Sequence, residues 1–300
     1  MPMMRGPFSK HLAPGYARVM FNAYKERPIE GSKLVNKKTS QRAYEEDFPV
    51  AGFGSLQVKP EGGSVRYQEA IEGNAKKYKF TTYALGYRIT VEMMDDDLYG
   101  TFGNKMAAAL GRSARNNQEI VMHAPFNNAF SATLNAGWDG KALCATDHVL
   151  LRAGSQVANK PVTDVDFGLI PLQAALEHFH ALTDESGIPA IFIPTRVIHS
   201  IGDYWMVNQV LKTPNLPGGN QNDINQVSRE GISPHLSHYL VDTDAWFVQC
   251  DMHDVNYYVR KPYQFQSGDD FHSGDALFKG GQRLGWGHSD WRGIYGSSGG

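Results

Sequence analysis

Cysteine is nearly absent from this chain. Cys144 and Cys250 lie far apart with no CxxC spacing, which excludes a disulfide framework and a thiolate metal cluster and leaves two buried, reduced thiols as the expectation. Long hydrophobic runs are missing too. No stretch approaches the ~20 apolar residues that cross a bilayer, and the opening "MPMMRGPFSKHLAPGYARVM" has no apolar core of the kind a secretory leader carries. The reading is a soluble chain with no membrane partner, made in the cytoplasm. Charge of one sign is also lacking: 29 Lys and Arg stand against 31 Asp and Glu. There is no broad basic field of the sort a dedicated nucleic-acid binder presents.

Motifs of catalysis are equally scarce. "GFGSLQ", with Gly52 and Gly54, is half of a dinucleotide fingerprint without the third glycine or the strand-turn-helix context. No GxSxG elbow or phosphate-cradling loop occurs. The histidine pairs His178/His180 and His235/His238 come with neither HExxH geometry nor a cysteine cluster, and His178 and His180, two apart on an expected helix, point to different faces. Asp95, Asp96 and Asp97 are consecutive, so on a helix they fan around the axis and form no oxygen cage. No catalytic, cofactor-binding or metal-ligating residue is assigned, and the chain reads as no enzyme. Trp138, Trp246, Trp286 and Trp291 sit in β-type patterns, where packing is the common use of aromatics.

What is present is a loop-rich chain of 300 residues with 31 glycines, long enough to bury a substantial core. Residues 1–45 carry no sustained hydrophobic period and read as an extended arm that orders by lying on another surface. From Ser64 the pattern alternates: Val65, Tyr67, Glu69 and Ile71 share a face, "EGN" at 72–74 supplies turn chemistry, and Tyr78, Phe80 and Thr82 resume the alternation. That predicts a hairpin with Lys76, Lys77 and Lys79 just past its turn. A lone two-stranded ribbon is marginal in water and needs a surface to rest on. Thr90 is a candidate N-cap, with Glu92 in the first turn of a helix running to about Phe130, weakened by Gly100, Gly103, Gly111 and Pro125 and expected to break near 124. Beyond it, "DFGLIPLQAALEHFHAL" has helical spacing. "PAIFIP" reads as a short buried strand, "TRVIHSIGDYWMVNQVL" as a helix, and "SHYLVDTDAWFVQC" and "VNYYVRKPYQFQSG" as strands. The class is α+β.

The blocks "LGYRITVEMMDDDLYG", "RSARNNQEIVMHAPFNNAF", "DGKALCATDHVL", "NDINQV", "HYLVDTDAWFV" and the closing "DDFHSGDALFKGGQRLGWGHSDWRGIYGSSGG" resemble the major capsid proteins of tailed phages grouped with the Mu-like head subunit T, which have the Hong Kong 97 phage capsid fold. The resemblance spans Leu85 to Gly300. It implies an N-terminal arm at 1–45 and an extended E-loop hairpin at 46–84. It further implies a P-domain with a long spine helix at 85–160 and 252–300, and an A-domain at 161–251. It also implies self-assembly as hexamers and pentamers into an icosahedral shell around double-stranded phage DNA held without sequence specificity. A separate scaffolding protein, a portal and decoration proteins would be the partners, and the virion, assembled in the host bacterial cytoplasm, the location. No cofactor is implied. The hairpin would lie over a neighbouring subunit, with Lys76, Lys77 and Lys79 meeting Asp95, Asp96 and Asp97 of the adjacent protomer. No motif identifies the reacting residues of a covalent cross-link. Two other readings fit parts of the sequence: a cellular nanocompartment (encapsulin-like) shell protein of the same fold, and an α/β ligand-binding domain or enzyme at 161–251 with "NLPGGNQNDINQ" as a lid.

Overall fold

The structure, a computed structural model, describes residues 8–96, 101–215 and 224–300. In chain order its elements are α1 (Phe8–Lys25), β1 (Asn36–Thr39), β2 (Glu45–Asp47), β3 (Val50–Ala51), β4 (Ile71–Glu72), β5 (Lys76–Tyr78), β6 (Thr81–Ile89), α2 (Val91–Asp96) and α3 (Thr101–Asn127). There follow β7 (His148–Val149), β8 (Gln156–Val157), α4 (Leu169–Ala181), β9 (Pro194–His199), α5 (Tyr204–Lys212), β10 (Ser233–Leu236), β11 (Trp246–Cys250), β12 (Val255–Asp269), β13 (Ala276–His288) and β14 (Ile294–Ser297). The chain divides into two compact units. One takes the described parts of 1–44 with 79–122 and 257–286, and the other takes 45–78, 123–256 and 287–300.

The first unit is built on a sheet of order β1-β12-β13-β6. β13 pairs antiparallel with β6, from Ala276 opposite Ile89 to Leu284 opposite Thr81. Alternation along these strands turns Ile89, Tyr87, Ala276 and Phe278 to one face, where they pack with Tyr16 and Met20 of α1 and Ala107 of α3. The arm is therefore not uniformly extended, since residues 8–25 are helical. Tyr16 and Met20, four apart on one face, find their apolar partners only in the folded unit, and Pro14 inside the helix conceals it from a sequence reading. The segment that follows α1 is fastened to α3, and β1 to β12. Glu119, buried, accepts the Glu30 and Gly31 backbone N–H groups at 2.7 and 2.9 Å, Arg115 donates to the Arg27 carbonyl at 2.9 Å, and Arg112 pairs with Glu26 at 3.0 Å.

Thr90 caps α2 as expected, its Oγ1 accepting the Met93 N–H at 3.3 Å. The expected break near 124 is absent: α3 passes through Pro125 to Asn127, and the Asn128 N–H still bonds the Ala124 carbonyl at 3.1 Å. Proline deletes one backbone bond close to the helix end, a loss that the buried Val121, Met122 and Phe126 outweigh.

The second unit centres on a mixed sheet of order β10-β9-β11-β14. β10 runs parallel to β9, and β11 runs antiparallel to both β9 and β14. Leu172, Ala175 and Phe179 of α4, Val207, Val210 and Leu211 of α5, and Trp246 and Val248 of β11 form its core. Here the strand lies later than the sequence suggested. "PAIFIP" is not a strand, Ile191 and Ile193 are exposed, and the buried strand is "PTRVIH", in which Val197 and Ile198 are fully buried. Between two neighbours a central strand donates N–H groups to both sides, so it starts at Pro194 rather than enclosing it. The helix expected from Thr195 accordingly begins at Tyr204. Cys144 and Cys250 are free and buried, as expected, and burial pushes both thiol pKa values up.

Candidate assembly surfaces

Within the second unit the chain leaves and returns as one long hairpin. β2 pairs antiparallel with β5, Asp47 opposite Lys76, and β3 pairs with β4, Val50 opposite Glu72. Two residues separate the paired segments on the outgoing strand and three on the returning one, so the ladder carries a bulge. "EGN" at 72–74 is thus not the reversal: β4 and β5 are successive parts of one strand, and the chain turns back within 52–70. "GFGSLQ" lies in that tip, which is held within itself by bonds such as the Gly54 N–H donating to Gln68 Oε1 at 2.8 Å, and is tied to the body only at its base, where Ser186 Oγ donates to the Gly52 carbonyl at 3.3 Å and Arg152 donates to the Glu69 carbonyl. The tip is apolar and in water. Leu56 is fully exposed, Val58 97% and Tyr67 94%, with Phe53 and Val65 more than half exposed. Monomeric proteins do not ordinarily expose so dense a set on one ribbon.

The root, by contrast, is locked. Tyr78 Oη bonds Ser289 Oγ, which donates to Asp47 Oδ2 at 2.7 Å, and Asn256 Nδ2 donates to Tyr78 Oη at 3.3 Å. The three lysines separate here. Lys76 turns inward to donate to the Ala136 carbonyl, and burial lowers its pKa. Lys77 pairs with Glu46 across the strands at 2.9 Å. Lys79 is exposed between β5 and β6. Of the expected acidic partners, Asp96 ends α2 and is exposed, Asp95 lies on α2 with its side chain outside the description, and Asp97 is outside the described residues.

Behind the root, His148 Nδ1 lies 2.6 Å from Asp139 Oδ2 and its Nε2 3.2 Å from Asn159 Oδ1, with the ring stacked on Trp291 at 4.3 Å. Burial works to raise the Asp139 pKa, but the His148 and Lys141 hydrogen bonds and the charges of His148 and His288 hold it below the usual carboxylate value. His288 is fully buried, with Nδ1 2.9 Å from Asn135 Oδ1. Burial first, then the charge of Lys76, takes its pKa down to about 3 against the opposing pull of Asp139.

A second exposed apolar set lies at the start of α5, where Ile201 and Trp205 are 67% and 81% exposed and Met206 is beside them. Ile201 lies in the turn before the helix and Trp205 in its first turn. The "NLPGGNQNDINQ" segment that follows α5 lies mostly outside the described residues.

The ribbon is thus anchored at its root and exposes apolar side chains at its tip. The model of a family described as phage capsid protein matches residues 73–297, well over half of the chain. This chain belongs to the phage capsid protein family. The capsid protein has the α+β fold of the Hong Kong 97 type. It resembles the subunit of the virus-like particle from Pyrococcus furiosus with a TM-score of 0.53 at 11% identity, over 95% of this chain and 98% of that one. The Mycobacterium phage Che8 structure gives 0.56 at 9% identity over 90% of both chains. The bacteriophage JBD30 procapsid gives 0.54 at 13% over 98% of this chain and 76% of that one. At these identities the likeness is one of fold. No curated protein sequence matches. Among the described residues, no helix of the capsid protein is long and apolar enough to cross a membrane.

Two features escaped the sequence. Glu119 was indistinguishable from any surface carboxylate of the spine helix until the arm's N–H groups were seen upon it. The tip residues Leu56 and Val58 did carry a signal, apolar positions two apart between glycines, but the turn-like "EGN" placed the reversal elsewhere.

Proposed function

We propose that this chain is the major head subunit of a tailed phage, assembling as hexamers and pentamers into an icosahedral shell that encloses double-stranded DNA. Beside its family membership, the observation that carries the reading is the hairpin: a locked root bearing an apolar tip that water alone covers in the monomer. Contacts of that kind, repeated head to tail, close into rings when the rotation closes, and obligate interfaces commonly bury thousands of Å². In this reading 1–45 is the arm, 46–84 the E-loop, 85–160 with 252–300 the P-domain and 161–251 the A-domain, and the exposed Ile201 and Trp205 of the A-domain belong to the surface that copies share. Lys79 is the lysine best placed to meet Asp95, Asp96 or Asp97 of an adjacent protomer, since Lys76 is turned inward and Lys77 is held by Glu46. A separate scaffolding protein, a portal and decoration proteins complete the particle, which forms in the host bacterial cytoplasm. The near balance of charge suits a wall that contains DNA without gripping it. No catalytic step is assigned.

The likeness to the Pyrococcus furiosus particle keeps one second reading, a cellular nanocompartment shell of the same fold. Electron microscopy of the purified chain, with and without its scaffolding protein, tests both. Closed shells or ring-shaped capsomers are expected. A chain that stays monomeric with scaffold present removes the capsid reading, and shells that copurify with an enzyme cargo instead of DNA favour the nanocompartment.

A further inference from the structure

Two basic side chains meet behind the root of the hairpin. Lys76 of β5 turns inward and donates to the Ala136 carbonyl. His288, at the end of β13, is fully buried. A Cβ built on the preceding Gly287 would lie 2.9 Å from the Tyr78 ring and 3.7 Å from Lys76 Cε, so this strand end runs directly against β5. The next residue, Ser289, is the link between Tyr78 and Asp47 that closes the root. The imidazole is bonded on one side only: Nδ1 lies 2.9 Å from Asn135 Oδ1, and Nε2 is buried with no hydrogen-bond partner. Nε2 faces the loop after α3, where a Cβ on Gly137 would fall 3.1 Å from it and 3.0 Å from Asp139 Oδ1. The charged and titratable groups around the ring are Lys76, Asp139 and His148. Asp139 is the one anion among them, and His148 Nδ1 and the Lys141 N–H already engage it. A neutral ring fits this setting. A second proton would place a cation at a buried nitrogen that has no acceptor, beside an ammonium group.

We propose that His288 and Lys76 form an acid-operated latch, in which protonation of His288 parts 288–289 from 45–47 and 76–78 and frees the base of the hairpin while the rest of its unit stays folded. The latch belongs to the single chain and works whether or not the tip docks on another copy. Its mechanical link is Ser289: a displacement that carries the ring to water carries the neighbouring hydroxyl away from Tyr78 and Asp47. Proton linkage sets the direction. Closed, the ring has a pKa of about 3, from burial first and the charge of Lys76 second; opened to water, it returns to the ordinary value near 6.5. Opening therefore takes up a proton and grows as pH falls through 6.5, by about twentyfold between pH 7 and pH 5. Asp139, held below the usual carboxylate value, keeps its charge throughout that interval.

Hydrogen exchange of the full chain, corrected for the intrinsic rate at each pH, tests the latch. Amides of 45–47 and 76–78 are expected to lose about twentyfold in protection from pH 7 to pH 5, and to exchange faster than those of β9 and β11 at both values, as a local opening requires. His288→Asn, folded by circular dichroism at pH 7, is expected to hold the change within about threefold. Lys76→Gln, which keeps a donor for the Ala136 carbonyl without the charge, is expected to fall between the two. Base amides that exchange no faster than β9 and β11 at pH 5 make the opening global and overturn the proposal. A loss of protection as large as the wild-type one in either variant also overturns it. Should His288→Asn fail to fold, histidine ring resonances of the wild-type chain decide: a His288 ring that stays neutral at pH 5 in the closed state supports the latch, and one that titrates near 6.5 while the base remains protected overturns it.

Discussion

A Cβ built on Gly111 of the spine helix would lie 2.3 Å from the carbonyl oxygen of Met20. Helix α1 crosses α3 with its backbone against a glycine, and at Gly103 the same added atom would fall 2.1 Å from Tyr16 Oη. The glycines that weaken α3 as a helix are therefore what admits the arm.

Gly111→Ala is expected to destabilise the protein. Helix propensity alone favours alanine by ~1 kcal/mol, but the clash is with backbone and forces α1 outward, for a net loss of about 1–3 kcal/mol. Chemical denaturation gives the sign, and limited proteolysis should cut faster within 8–30. A more stable variant with an unchanged cleavage pattern would contradict the crossing.

The buried Arg292 guanidinium, bonded to Glu185 and, at 2.8 Å, to Asp290, makes a second test. Glu185 Oε2 also accepts the Leu151 N–H at 2.6 Å. Glu185→Ala leaves a buried charge short of a partner and an orphaned N–H, for an expected loss of about 3–5 kcal/mol. Glu185→Gln, which keeps acceptor geometry, should lose less. If the two variants melt alike, the acceptor geometry that glutamine keeps contributes nothing and the loss is that of the charge.

Stability should fall in acid through His288. Its folded pKa is about 3, below the ordinary value near 6.5, so between those limits the unfolded chain binds the proton and the folded chain does not. The contribution is complete above about pH 6.5 and is lost as pH falls toward 3. His178 and His253, both lowered by burial to about 4, act in the same direction. Melts at pH 7 and pH 5 should therefore differ, and His288→Asn should shrink the difference by on the order of 1–2 kcal/mol. An unchanged pH slope in that variant would show that His288 titrates normally.

Leu56→Ser with Val58→Ser should leave the melting of the isolated chain within about 0.5 kcal/mol, since neither side chain is buried in it. Assembly, read by sedimentation, should be lost or strongly weakened. Unimpaired shells would show that the tip stays in water.

The spine helix, the cap at Thr90, helix α4 and the strand containing "AWFVQC" were legible because each writes its own period or cap into contiguous residues. Contiguity was also what misled. "EGN" has the chemistry of a turn, yet its segment pairs with 45–51, and only the cross-strand register shows that the reversal lies in 52–70. In "PAIFIPTRVIH" two apolar stretches compete locally, and the neighbouring strands β10 and β11 settle which one enters the sheet.

By itself the sequence determined the class of the fold, the absence of disulfides and of a catalytic motif, and a resemblance specific enough to name a family, because these depend on residue types and short-range spacing. Tertiary structure alone decided that residues 8–25 of the arm form a helix seated on the glycines of α3, that Lys76 faces inward while Lys79 faces water, and that the long hairpin reverses within 52–70. Each of those depends on which distant segments come to lie side by side, and the burial or exposure that follows is a property of the packed chain and not of any residue within it.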